Sequence, residues 1–445
     1  MSRQPKATAV KQDAKPTLTP KLRFPEFREA EGWKEERLGS LGTFLRGLTY
    51  GATDVAETGL LVLRSTNIQG ANLVLDKDLV FVDRGCAADL LLQPKDIVIC
   101  MSNGSKALVG KSAEYKGEYQ GDLTVGAFCS LFRPSKQFSK LAFQSEQYAK
   151  FVSISIGGGN INNLKNSDLE NFGLPVPPSS AEQQKIAECL TTLDEVIAAQ
   201  SQKLDALKTH KKGLMQQLFP REGETLPRLR FPEFNSPWKV GTIDDLASTV
   251  MGNAFKSTDF AESGTQVIRI GNLYQGELQL DRAPVYLSDA QAKENLKFIV
   301  NPSDLLMSMT GTVGKRDYGF VIQIPADCEP LLLNQRVMKL APTHNCHAGF
   351  LLQLLKDERL LDNLYSLPGG TKQANLSAQA VKDLGVSYPQ KPEQQRIATC
   401  LTSLDDLITA HSAKLSALKT HKKGLMQQLF PSENLEEGSE KLASG

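Results

Sequence analysis

Residues Glu182 to Pro220 return 211 positions later as Glu393 to Pro431, with 30 of the 39 residues identical. A repeat of this length constrains the fold before any motif does: the chain is a tandem duplication, and what one copy builds the other must build again. A shorter echo precedes each copy. Leu22 to Phe27 (LRFPEF) returns as Leu229 to Phe234, and a Trp-Lys pair follows each, at Trp33 and Trp238. Residues 34–180 and 239–392, between the echoes, have diverged almost beyond recognition. Two framework segments are therefore kept alike while the two regions they enclose differ.

The repeated segments carry a helical period. Ile186, Leu190, Leu193, Ile197, Gln200, Leu204, Leu207, Lys211, Leu214 and Leu218 alternate spacings of 4 and 3, and Ile397, Leu401, Leu404, Ile408, His411, Leu415, Leu418, Lys422, Leu425 and Leu429 repeat them. Such a stripe is the seam of a coiled coil of about five heptads. Pro220 and Pro431 should stop the two helices, with Pro178 and Pro392 lying just before their starts. At about 1.5 Å per residue each rod is about 57 Å long, and the two can pair within one chain, most simply antiparallel. The alternative is that each helix packs separately on its own domain. Polar seam residues, Gln200 and His411 among them, fix register at some cost in stability. Outside the seam, the unchanged Lys208, His210, Lys212, Lys419, His421 and Lys423 of the two LKTHKKGL copies mark a surface for something both halves share, such as identical copies of a partner.

The diverged regions read as mixed α/β, with strands expected at Gly59–Arg64, Asp96–Cys100, Gln266–Ile270 and Asp304–Met307. A faint common skeleton survives. Arg64-x-x-Asn67-Ile68 parallels Arg269-x-x-Asn272-Leu273, and Gly-rich loops at 157–163 and 369–375 occupy matching places ahead of the long helices. Loops on a duplicated scaffold are where binding specificity varies without loss of fold.

Catalytic readings fare poorly. The glycines of Gly104 to Ser112 are one residue too far apart for a phosphate-binding P-loop. His344, Cys346 and His347 sit close together, but no second pair of ligands accompanies them, and a surface loop after Pro342 is the better reading. The seven cysteines include no C-x-x-C pair, which argues against a disulfide framework or structural zinc. No nucleophile, base and oxyanion set can be assembled, so the chain reads as non-catalytic.

At 445 residues the chain should hold two to four folding units, and 40% hydrophobic with 23% charged residues is a globular balance. No stretch of about 18 apolar residues suggests a membrane span or leader, so a cytoplasmic location is expected. The net charge of +1 conceals a basic tail at 1–20 and an acidic one at 432–445. A near-neutral body does not announce a nucleic-acid binder; if the chain binds DNA, its positive charge must be local or lent by a partner.

Together, the LRFPEF entries, the Pro-rich approach to E-Q-Q-[KR]-I-A, and the heptad helices ending in LKTHKKGLMQQLFP resemble the specificity subunits of type I restriction-modification systems, over about residues 21–431. The resemblance implies an α/β protein: two mixed α/β target-recognition domains separated by two long helices in an intramolecular antiparallel coiled coil, with pseudo-two-fold symmetry. Its parts would be a flexible basic tail (1–20), the first recognition domain (21–180), the first helix (181–220), the second domain (221–392), the second helix (393–431) and a flexible acidic tail (432–445). Each domain would read one half of an asymmetric bipartite site on double-stranded DNA, and the helices would set the spacer. Two modification subunits carrying S-adenosylmethionine, and two restriction subunits using ATP and Mg, would be the partners; the chain itself would bind no cofactor. Arg and Lys pair with guanine, Asn and Gln with adenine. On that basis Arg64, Asn67, Asn103, Lys106, Lys111, Asn160 and Asn162 are the candidate DNA contacts of the first domain, and Arg269, Asn272, Thr310, Lys315, Arg316, Lys372 and Gln373 those of the second. A coiled-coil scaffold that binds no DNA would explain the helices, but not why the enclosed domains diverged while their frame stayed alike.

Overall fold

The computed structural model describes residues 18–156, 163–221, 223–274, 276–366 and 373–431. Two compact units emerge, one comprising the chain up to Ala199 together with the part from Leu415 onward, the other Gln200–Lys414.

The first unit holds two four-stranded sheets. One is antiparallel and orders Gly42–Arg46, Cys129–Pro134, Ile97–Cys100 and Ser112–Glu114. The other orders Leu123–Val125, Leu60–Leu63, Phe81–Val82 and Val55–Ala56, with its first two strands parallel. Leu60–Leu63 (LLVL) and Ile97–Cys100 (IVIC) are buried at every residue, which is why they read as unbroken apolar runs rather than as alternation. The second unit repeats the plan. Ala247–Met251, Val337–Pro342, Leu305–Ser308 and Val321–Gln323 form its antiparallel sheet. Tyr286–Leu287, Thr265–Ile268, Leu331–Leu333 and Ile299–Val300 form the other, with a parallel central pair. All four strands expected from the sequence are present within two residues of their expected ends.

The long helices run Ser180–Leu218 and Lys391–Leu429. Pro220 and Pro431 lie just past their ends, but Pro392 lies inside the first turn rather than before it. A first-turn proline loses only an N–H that has no helical partner. Along both helices the seam residues are buried or half-buried while most of their neighbours are exposed. In the second unit Gln200 donates to the His411 carbonyl at 3.0 Å, and Lys211 Nζ donates to Asp405 Oδ1 at 2.6 Å. One helix therefore rises as the other falls, which is antiparallel pairing. In the first unit Lys422 Nζ donates to Asp194 Oδ1 at 2.6 Å. Asp194 and Asp405 occupy equivalent repeat positions, as do Lys211 and Lys422, so one contact has been built twice.

Pairing is only part of what the seam does. Ile186 and Leu190, with Met426, Leu429 and Phe430, join the first unit's core around Trp33, Phe132 and Phe138. Met215, Leu218, Phe219, Ile397 and Leu401 join the second unit's core around Trp238 and Phe350. Each helix thus packs on a domain at its ends and on its partner between them, so the two arrangements weighed as alternatives coexist. The His344–His347 segment is likewise not a plain surface loop. Cys346 is buried in the second core, Gln394 Oε1 accepts the His347 backbone N–H at 2.8 Å, and Lys391 Nζ donates to the His344 carbonyl at 3.1 Å. It is the seat for the start of the second helix.

Candidate nucleic-acid interface

The two sequence echoes meet in space. Arg23, from LRFPEF, donates to both carboxylate oxygens of Glu182, from EQQKIA, at 2.7 Å each, and Trp33 Nε1 reaches the same group at 3.3 Å. The second unit repeats the clamp: Arg230 holds Glu393 at 2.7 and 2.8 Å, and Trp238 Nε1 lies 3.3 Å from it. Both glutamates are buried, and the guanidinium of each arginine stays firmly protonated because it donates to its carboxylate. The clamp locks the root of each long helix to the LRFPEF segment and the tryptophan that follows it. Sequence reasoning noted both echoes without seeing that they bind each other; the available signal was that Arg, Trp and Glu are retained in both copies.

At the opposite end of each unit's sheets, loops from separate parts of the chain abut. In the first unit Leu48 N–H donates to Val125 O at 2.7 Å, Gly126 N–H to Leu63 O at 2.8 Å, Met101 N–H to Phe128 O at 2.9 Å and Leu164 N–H to Met101 O at 2.8 Å. In the second, Asn253 N–H donates to Leu333 O at 3.0 Å, Asn334 N–H to Ile268 O at 3.1 Å, Met309 N–H to Arg336 O at 2.8 Å and Leu376 N–H to Met309 O at 2.8 Å. The approach requires glycine at one matched point. A Cβ on Gly47 would stand 2.2 Å from the Gly126 carbonyl oxygen, and one on Gly252 would stand 1.9 Å from that of Asn334.

This cluster contains most of the candidate residues read from the sequence, in very different roles. Asn67 and Asn272 are corrected. Both are buried, each accepts the N–H of the preceding arginine (Arg64 or Arg269) at 2.9 Å, and each gives its amide hydrogens to two loop carbonyls. Both amide hydrogens and one lone pair of the oxygen hold a turn, and burial keeps the side chain away from a base. Arg64 and Arg269 reach across the same turn, to the carbonyls of Asp78 and Ala283, residues that both adopt left-handed backbone, with φ of 52° and 47°. Among the described residues these arginines brace the loop through carbonyls and not through ion pairs. Asn103 links the cluster together, donating to Ser65 Oγ at 2.9 Å and accepting the Ser105 N–H. Lys106, Lys111 and Lys315 are exposed cations in the matched loops. Thr310 is buried in the strand Thr310–Thr312, which pairs with Gln373–Asn375 and so sets Gln373 backbone opposite Thr312. Arg316 pairs with Asp362 at 2.5 Å and lies over the Tyr365 ring at 5.2 Å. Asn160, Asn162 and Lys372 lie outside the described residues.

The LKTHKKGL surface lies on the long helices. Lys208, His210, Lys212, Lys419, His421 and Lys423 are all exposed on the long helices, with Lys212 Nζ 2.9 Å from Glu358. Among the described residues no group of three side chains could hold a metal ion, and no helix is long and apolar enough to cross a membrane.

Comparison with known proteins places this geometry. The model of the type I restriction modification DNA specificity domain matches twice, over residues 30–209 and 235–420. The type I restriction enzyme MjaVIII specificity subunit of Methanocaldococcus jannaschii is 25% identical over 286 residues, 63% of this chain and 66% of its own length. The EcoKI specificity subunit of Escherichia coli is 27% identical over 290 residues, 62% of this chain and 61% of its own. The chain thus matches just under two thirds of the length of these curated relatives. The crystal structure of a type I restriction-modification S subunit from M. genitalium shares the fold, with a TM-score of 0.61 at 15% identity over 94% of this chain and 100% of that one. With one domain match on each side of the duplication, the chain belongs to the type I restriction modification DNA specificity family.

Proposed function

We propose that this chain is the sequence-reading component of a type I restriction-modification complex, with the loop cluster of each unit reading one half of an asymmetric bipartite site on double-stranded DNA. One observation carries the reading: the same folding unit is built twice, with equivalent clamps and helix contacts, yet the clustered loops carry different side chains. Two equivalent frames with unlike readers fit a site of two unlike halves, as symmetric dimers fit palindromes.

The helices set the unread spacer, and the LKTHKKGL faces dock two copies of the modification subunit. Identical exposed Lys and His residues on both helices support equivalent docking. S-adenosylmethionine, ATP and Mg act in the partner subunits, two of which are restriction subunits, and the chain is non-catalytic by itself in the cytoplasm. Its near-neutral charge suits a subunit whose phosphate contacts are supplied in part by partners.

The test is methylation by purified components. Chain plus modification subunit and S-adenosylmethionine should methylate one bipartite sequence, and the chain alone none. Turnover by the isolated chain, or methylation by the pair without sequence preference, overturns the reading.

A further inference from the structure

Within the loop clusters, several candidate side chains serve the protein itself. Arg64 and Arg269 brace turns, Asn67 and Asn272 are buried, and Arg316 is held by Asp362 and Tyr365. Besides the exposed lysines Lys111 and Lys315, one further matched position presents its side chains outward, and there the two units differ. Phe128 and Arg336 each immediately precede the central strand of the antiparallel sheet, and each gives its carbonyl to the equivalent N–H, that of Met101 or Met309. The backbone has been kept and the side chain exchanged. Phe128 is 70% exposed, and Arg336 is also exposed, its guanidinium without a protein partner among the described residues. Arg336 is moreover held at φ 71°, a left-handed conformation that is uncommon for a bulky residue and that clusters at functional sites.

We infer that Phe128 and Arg336 are the matched base-reading residues of the two units, Phe128 packing on a thymine methyl group and Arg336 donating to guanine O6 and N7 in the major groove. The chemistry follows from the side chains. An arginine free to present two N–H groups is the commonest specific partner of guanine, and an apolar ring can recognise in the major groove only the thymine methyl. Arg336 sits beside exposed Gln335, whose backbone N–H is fixed by Asn253 O at 2.8 Å, so the tip is anchored at its root and its side chains face outward.

This inference rests on the proposed reading of a bipartite site, and its test uses the chain assembled with its modification subunits. Once the methylated sequence is known, synthetic duplexes replace each thymidine of the site singly by deoxyuridine, which lacks the methyl, and each guanosine by 7-deazaguanosine, which lacks the N7 acceptor. The intact complex should lose about fourfold in affinity at one uracil position, the worth of one buried methyl. It should lose roughly 5- to 150-fold at one deazaguanine position, and that position should lie in the other half-site. Phe128→Ala should abolish the uracil effect alone, and Arg336→Ala the deazaguanine effect alone. Arg336→Gly removes the guanidinium while accepting the left-handed backbone, so it should behave as Arg336→Ala does. Variants that keep the intact protein's sensitivities overturn the inference. So does an Arg336→Ala loss that is uniform across sequences and flattens the salt dependence, which identifies a phosphate contact. An intact complex that methylates no bipartite site overturns the proposed function, and this inference with it.

Discussion

Replacing Glu182 by alanine should destabilise the first unit far more than removal of a surface charge. The Glu182 side chain is 1% exposed and that of Arg23 6%, and two charge-assisted bonds of 2.7 Å join them. Without the carboxylate, the guanidinium keeps only the carbonyls of Ala30 and Glu31, at 2.8 and 2.9 Å, and remains in the interior with its charge uncompensated. Breaking a buried pair from one side costs about 3–5 kcal/mol, whereas an exposed pair is worth about 0–1 kcal/mol. The protein supplies its own reporter. It has two tryptophans, one in each clamp, so a Trp238→Phe background leaves Trp33 to report on the first unit alone. Urea unfolding followed by Trp33 fluorescence should show the midpoint of Glu182→Ala lowered by at least about 1 M at a slope of ~1–3 kcal/mol per molar. Replacing both partners, as Arg23→Met with Glu182→Leu, removes the stranded charge and should restore most of the loss. A midpoint shift below about 0.3 M for Glu182→Ala would refute the claim that this pair is buried and coupled.

Asp405→Ala removes the acceptor of both Lys211 Nζ (2.6 Å) and Gln353 Nε2 (2.8 Å), and should cost the second unit about 1–3 kcal/mol in the same kind of experiment, read through Trp238. Asp194→Ala, which leaves Lys422 Nζ only its bond to Gln144 Oε1 at 2.6 Å, should have a similar effect on the first. Glutamates in place of Lys208 and His210 should leave folding unchanged and, if the LKTHKKGL faces dock modification subunits as proposed, reduce their number in the complex from two to one, measured by light scattering. The His347 imidazole is held below its ordinary pKa by burial first and by the Lys391 charge second, and its Nδ1 is buried without a partner among the described residues. The unfolded chain therefore binds this proton more readily than the folded one. That contribution to stability is complete above about pH 6.5 and is lost as pH falls through the lowered folded value. Urea midpoints of the second unit should fall between pH 7.5 and 5.5, and less so in His347→Asn.

The frame was legible because it is written in local periodicity. The helices end where Pro220 and Pro431 require, and fully apolar runs such as Leu60–Leu63 are strands. The Arg23–Glu182 contact spans 159 residues and leaves no periodic trace, so only the parallel retention of its members could have hinted at it. Asn67 and Asn272 misled because Asn is both the usual adenine partner and a turn former; burial, which decides between the two, is tertiary. Phe128 and Arg336 escaped notice for the converse reason. Their equivalence lies in two backbone hydrogen bonds, and nothing in the residue types Phe and Arg suggests that they stand in the same place.

The way the helices are shared between units also orders their biosynthesis. Gln200–Lys414 is one continuous stretch, so the second unit has all its parts once residue 414 has left the ribosome. The first unit, although its domain is translated earlier, lacks Met426, Leu429 and Phe430 until nearly 300 residues after Phe138 has emerged. In the interval Trp33 and Phe138, whose rings later stand 5.8 and 5.7 Å from that of Phe430, have no aromatic cap. Closing so distant a contact is slow, and an open apolar seat during translation invites chaperones or a neighbouring nascent chain. The domain made first is thus the one finished last, and the final turn of the second helix is the plug that completes it.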